Sequence, residues 1–100
     1  MKLETYAIYD AKAESYGQPF FLQNDGVAIR LFAGYANDKK TMIGQHPEDF
    51  SIFWIGTYDD SNGEIKQKKF RSLASAPALV KEMPTFVPEI ANGKENVQKV

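Results

Sequence analysis

Cysteine is absent from this 100-residue chain, which excludes disulfides and thiolate-bound zinc. Histidine occurs once, as His46, so a transition-metal centre would have to draw on remote carboxylates. No stretch approaches the roughly 18 apolar residues of a membrane-spanning helix. The opening residues, Met1 to Asp10, lack the apolar run and small-residue cleavage site of a secretory signal. These absences predict a soluble, intracellular protein with no membrane partner. Charge of one sign is also missing: the net charge is −1. A nucleic-acid binder driven by bulk charge is therefore excluded, and any phosphate contact needs cations gathered in one place. Gly26, Gly34 and Gly44 lack the spacing of a phosphate loop or dinucleotide fingerprint, and no convincing Ser-His-Asp arrangement stands out. The sequence predicts neither an enzyme nor a cofactor or metal site.

What is present centres on Phe50 to Phe70. Phe50, Ile52, Trp54 and Tyr58 share one parity; Phe53 and Ile55 share the other. Side chains alternate across a strand, so this strand is apolar on both faces, as suits one shielded on two sides. Asp59-Asp60-Ser61-Asn62-Gly63 supplies the turn. Glu64 to Phe70 returns as a solvated outer strand, and Lys66, Lys68, Lys69 and Arg71 follow one another with no acid between them.

Leu3 to Asp10 alternates and is rich in aromatic and β-branched residues, which predicts a strand. Ala11 to Gly17 reads as a loop or one helical turn. Pro19 to Leu22 reads as a short strand with proline at its first position. Asn24 or Asp25 caps a helix. Ala28, Leu31, Phe32, Tyr35 and Ala36, with Val27, mark its apolar side, and Arg30 points away from the core. Asn37-Asp38 closes it. Lys39 to Gln45 reads as a polar loop broken by Gly44, while Gly34 lets the helix pass close to a neighbour. Ser75-Ala76-Pro77 starts a short helix. The expected fold is α+β: a mainly antiparallel sheet in β-β-α-β-β order, one main helix packed on a face, and a short C-terminal helix and tail. Residues 1–83 form one domain; residues 84–100 form an extended or partly disordered C-terminal extension. With 43% hydrophobic and 13% aromatic residues, one small core is all the chain can build, and a homodimer is expected.

Several short words share an order and spacing. They are Tyr6, Ile8-Tyr9-Asp10, Lys12-Ala13-Glu14, Pro19-Phe20, Gly26 with Ala28-Ile29-Arg30 and Phe32, Asn37-Asp38, His46-Pro47-Glu48-Asp49-Phe50, and Gly56 with Tyr58-Asp59. Together, across residues 6–65, they resemble the small nonstructural protein of gokushovirus-type microviruses, phages with circular single-stranded DNA. The resemblance implies a non-capsid, DNA-binding protein that helps turn genome replication from the double-stranded form to production of single strands, in the host cytoplasm. It supplies no catalytic motif.

Lys66, Lys68, Lys69 and Arg71 are the candidate single-stranded DNA contacts, with Arg30 extending the basic surface. Phe70, Tyr16 and Tyr58 are candidate stacking platforms. The competing reading of the same lysines is an edge strand protected from pairing with another chain. Arg30 has its own alternative, an ion pair with Asp25 or Asp38. Asp10, Lys12 and Glu14 read either as a polar contact site or as a solvated loop. His46, Glu48 and Asp49 have no diagnostic spacing for metal or acid–base chemistry, and a cleft joining His46, Glu48 and Asp10 would be needed to suggest an enzyme. A second functional reading stands beside DNA binding: a homodimeric module that engages viral replication, assembly or host proteins without touching DNA.

Overall fold

The computed structural model describes residues 1–81. The domain boundary expected at residue 83 and the extension 84–100 lie outside the described residues. Five strands form one antiparallel sheet: β1 (Lys2–Asp10), β2 (Ser15–Tyr16), β3 (Phe20–Leu22), β4 (Phe50–Asp59) and β5 (Glu64–Ser75). The order is β2-β1-β4-β5, and β3 also pairs with β1. Three α-helices, α1 (Asp25–Ala36), α2 (Met42–Gln45) and α3 (Ala76–Leu79), and a 3-10 turn at Pro47–Asp49 complete the described chain. The α+β class, the single main helix and the short C-terminal helix agree with the sequence reading.

The segment expected to be a loop or helical turn, Ala11 to Gly17, contains β2. Asp10 explains the reversal. Its carboxylate accepts from the backbone N–H groups of Lys12 (2.9 Å) and Ala13 (3.2 Å), a local turn that aspartate forms readily. Glu14 completes it at φ 57°. Likewise, the expected polar loop Lys39 to Gln45 holds α2. Thr41 caps it by accepting from Gly44 N–H at 3.0 Å. Gly44 is buried there, where a Cβ would run into the Asp38 carbonyl.

Helix α1 begins where Asn24 accepts from Val27 N–H at 3.0 Å, satisfying a donor that has no partner inside the helix. Ala28, Phe32 and Ala36, one every fourth residue, are fully buried against the sheet. They join Tyr6, Ile52 and Ala76 in the core. Two residues expected on this face are not in it: Leu31 is 38% exposed and Tyr35 40% exposed. Successive residues of a helix stand about 100° apart, so a contact as narrow as the 28-32-36 line leaves 31 and 35 beside it. Nor does Gly34 mediate a close approach, since nothing lies within 4 Å of the position its Cβ would take. Past the helix, the Asn37 side chain donates to Leu79 O (2.9 Å) and accepts from Lys81 N–H (2.7 Å), tying α3 to the end of α1.

The sheet is irregular where it matters. Between β1 and β4, Tyr6 pairs with Trp54 but Thr5 pairs with Gly56, so Ile55 is one residue extra. Trp54 remains on the helix-bearing side, where it packs against the core. Beyond Ile55 the parity resets. Tyr58, expected on the side of Phe50, Ile52 and Trp54, instead packs on Phe21 of the opposite side, with ring centroids 4.7 Å apart. Strand β5 is bulged as well: Arg71 pairs with Trp54 and Gln67 with Gly56, leaving Lys68, Lys69 and Phe70 opposite Ile55 alone.

Candidate nucleic-acid interface

The sheet has two unlike faces. On the helix-bearing face, Tyr6 donates its hydroxyl to Asp25 Oδ1 at 2.8 Å, and Arg71 Nη1 reaches Asp25 Oδ2 at 3.2 Å. The Arg71 guanidinium lies 4.9 Å from the centre of the Trp54 ring, and Trp54 Nε1 donates to Glu4 Oε1 at 2.6 Å. Arg71 is thus engaged with an acid and an aromatic ring on the helix side. Asp25 takes this arginine rather than Arg30. Arg30 is exposed on the outward surface of α1, beside Leu31, Gly34 and Tyr35. The surface it lines includes no described residue of β5.

Burial first, and the Asp25 hydrogen bond second, raise the Tyr6 phenol well above its ordinary value. The unfolded chain therefore releases this proton near pH 10, while the fold still holds it. The associated stability is present below about pH 10 and is lost as pH rises from there. Tyr6→Phe is expected to cost about 1 kcal/mol at pH 7 and to flatten the alkaline loss, read from urea midpoints between neutral and alkaline pH.

Among the described residues, no helix covers the other face. It carries a line of touching rings. Tyr9 and Tyr16 have centroids 4.8 Å apart, Tyr16 and Phe53 5.7 Å, and Tyr16 and Phe70 5.3 Å. Tyr16 stands on one edge strand and Phe70 on the other, so the sheet curls enough for its two edges to meet over Phe53. Such edge-on contacts suit the positive rim and negative face of aromatic rings. Tyr16 is 44% and Phe70 37% exposed, leaving part of each ring open to solvent. The Phe21–Tyr58 pair lies farther along the same face. Between them is an apolar cavity of about 250 Å³, lined by Thr5, Phe21, Ile55, Lys66, Gln67 and Phe70 among others.

Of the sequence-derived candidates, Phe70 joins the line of rings, while Lys66, Lys68 and Lys69 lie on the adjoining stretch of β5, where the register turns the Lys66 side chain to the side of Thr57 and Glu4. Lys66 lines the cavity, and Lys68 and Lys69 occupy the bulge between Gln67 and Phe70. All three lysines are exposed. Among the described residues, the ion pairs involve only the N-terminal amine with Asp59 and Asp60, and Arg71 with Asp25, so none engages these lysines. Tyr9, Thr5 and Phe21 belong to the same surface and were not singled out from the sequence. The odd positions of β1, Thr5, Ala7 and Tyr9, carried the signal for two of them.

His46, Asp49 and Asp10 line one cleft of about 280 Å³ with Lys12, Met42 and Phe50. Glu48 lies elsewhere, beside Pro47, Pro77 and Val80. The Asp10 carboxylate is committed to its own turn. No group of three His, Asp or Glu able to hold a metal occurs among the described residues. No helix among them is long and apolar enough to cross a membrane.

Comparison with known proteins gives two matches. The family model described as Phage ORF5 protein matches residues 3–79. Protein ORF5 of Chlamydia phage 1 is 37% identical over 69 residues, covering 65% of this chain and 72% of that protein. No solved structure matches significantly.

Proposed function

Since the chain belongs to the Phage ORF5 protein family, and so is a small non-capsid protein of the gokushovirus type of microvirus, we propose that it binds single-stranded viral DNA along its helix-free face. In this reading it is a non-enzymatic accessory of genome replication and single-strand production, acting in the host cytoplasm. The observation that carries the reading is the run of touching rings, Tyr9, Tyr16, Phe53 and Phe70, with exposed Lys66, Lys68 and Lys69 on the adjoining strand. Every base has a π-face, so aromatic platforms bind single strands with little sequence demand. In a duplex those faces are stacked away, which favours single strands. The lysines supply the local positive potential that a chain of net charge −1 does not have overall.

The test is fluorescence anisotropy of a labelled single-stranded oligonucleotide at increasing salt. Each phosphate neutralised contributes a slope of about −0.7 in log K against log salt. Three lysines therefore call for a slope near −2. Replacing Lys66, Lys68 and Lys69 together by Glu should remove binding and leave the circular-dichroism spectrum unchanged. A folded charge-reversed variant that binds as well as the parent overturns the reading.

One observation favours the second reading, a homodimeric interaction module. Exposed Leu31 and Tyr35, continued by half-buried Val27, form an apolar stripe along α1, with bare Gly34 beside it. A second copy of the chain is the occupant it suits, because a small domain gains core by pairing. A light-scattering mass of two chains together with no retained oligonucleotide is the outcome that selects this alternative.

A further inference from the structure

We propose that the cavity between β1, β3, β4 and β5 is a pocket for one unstacked nucleobase, and that the DNA bound along the aromatic line is therefore read at one position. This rests on the single-stranded DNA reading above and adds a selective site to it. Three observations carry it. First, the cavity of about 250 Å³ falls below the roughly 300–1,000 Å³ of sites for drug-sized ligands. A small planar group suits it better than a large ligand. Its walls fit a flat ring: Phe21 and Phe70 are aromatic, and Pro19, Ile55 and Ile65 are aliphatic. Second, it opens beside Phe70, the ring that ends the stacking line, and beside Lys66. A strand running along the rings, with its phosphates on the lysines, arrives at this opening with a base to place.

Third, the pocket has polar groups with unused capacity for hydrogen bonds. Thr5 lines it and is only 3% exposed. Its hydroxyl has no hydrogen-bond partner and is the orphaned buried side-chain atom of the described fold. A buried hydroxyl left unpaired is destabilising, so a ligand group that satisfies it gains affinity. A rotation about χ1 exchanges this oxygen with the methyl group of the same side chain, a change between staggered states. Gln67 adds a carboxamide, with donors and an acceptor, on the opposite strand. Together they match the mixed donor and acceptor edge of a base, not a purely apolar group.

Binding of dA, dC, dG and dT homopolymers is compared at one salt concentration, with methyl NMR of Ile55 and Ile65 as a local report. One homopolymer should bind best. Thr5→Val, which keeps the shape and removes the hydroxyl, should lower that affinity about three- to tenfold, the effect of one hydrogen bond. It should leave the other homopolymers unchanged. Thr5→Ser should restore the preference. The Ile55 and Ile65 methyl resonances should shift with the preferred oligonucleotide, while those of Ile52, buried on the helix side, stay in place. Thr5→Val removes an unpaired group, so its fold should be as stable as the parent's or more so. Equal binding of all four homopolymers with silent Ile55 and Ile65 overturns the pocket and leaves the aromatic line standing. Failure of every oligonucleotide to bind overturns both. Shifts at Ile55 and Ile65 on addition of an apolar peptide, but not of DNA, assign the cavity to a protein partner and also overturn the proposal.

Discussion

Replacing Tyr16 and Phe70 together by Leu should weaken single-stranded DNA binding by at least about thirtyfold, because each base stacked on a ring is worth about 1–3 kcal/mol. Leucine is the informative substitute. It keeps apolar bulk over Phe53 and removes the flat π-face, whereas alanine would also open a gap where the sheet edges meet. The rings touch at centroid distances of 5.3 Å and 5.7 Å, and such pairs contribute about 0.5–1.5 kcal/mol beyond their area. A fall of a few degrees in Tm is therefore expected alongside the loss of binding. The salt slope separates the two parts of the interface. It should stay unchanged in the leucine variant, since the phosphate contacts remain, whereas the lysine charge reversal should leave no binding to follow with salt. A leucine variant with full affinity would show that the rings hold only the curl of the sheet.

Gly56→Ala should be the most destabilising single-methyl addition in the sheet. A Cβ at this position would overlap the Lys66 carbonyl oxygen and lie 3.2 Å from Gln67 Cα. Both obstacles are backbone, so no side chain can rotate aside. Relief requires β5 to lift off β4 along its outer half. Overpacking typically costs about 1–3 kcal/mol, and with backbone on both sides this position falls at the upper end. Domains of this size have a total stability of only about 5–10 kcal/mol. Urea unfolding measures the loss directly. Binding should fall with it even in the remaining folded molecules, because Lys66 and Gln67 line the proposed base pocket. Gly34→Ala is the control: the position is open on every side within 4 Å, and alanine is the better helix former.

The sequence made some of this legible and hid the rest for identifiable reasons. Asn24 ahead of an apolar period, and Asp59 to Gly63 between two strands, are strong local signals; the cap and the turn fall there. The lysines of β5 were readable as an outer strand, because a run with one aliphatic residue cannot be a central one. Tyr58 leaves the parity of Phe50, Ile52 and Trp54 because strict alternation assumes an unbroken ladder, and Ile55 breaks it. Strand β2 was hidden for a different reason. It has two residues, too few for a period, and depends on the Asp10 turn and on Tyr16 meeting Phe53 and Phe70. That meeting joins residues more than 35 positions apart and leaves no trace in local pattern. Arg71 looked like a fourth member of the lysine cluster because it lies one residue past Phe70. Its alternation to the other face, and Asp25 waiting there, come only from the fold.

The extra residue at position 55 makes chain length in this strand a coding quantity. Deleting one residue between Trp54 and Tyr58 would swap what is dry for what is wet over the whole outer third of the hairpin, carrying Tyr58 away from Phe21 and toward the helices. Gaining or losing residues in the exposed tip from Asp60 to Asn62 carries no such penalty, since nothing downstream depends on its count beyond closing the turn. Natural variants of this protein should accordingly drift in length at the tip and hold it fixed around Ile55.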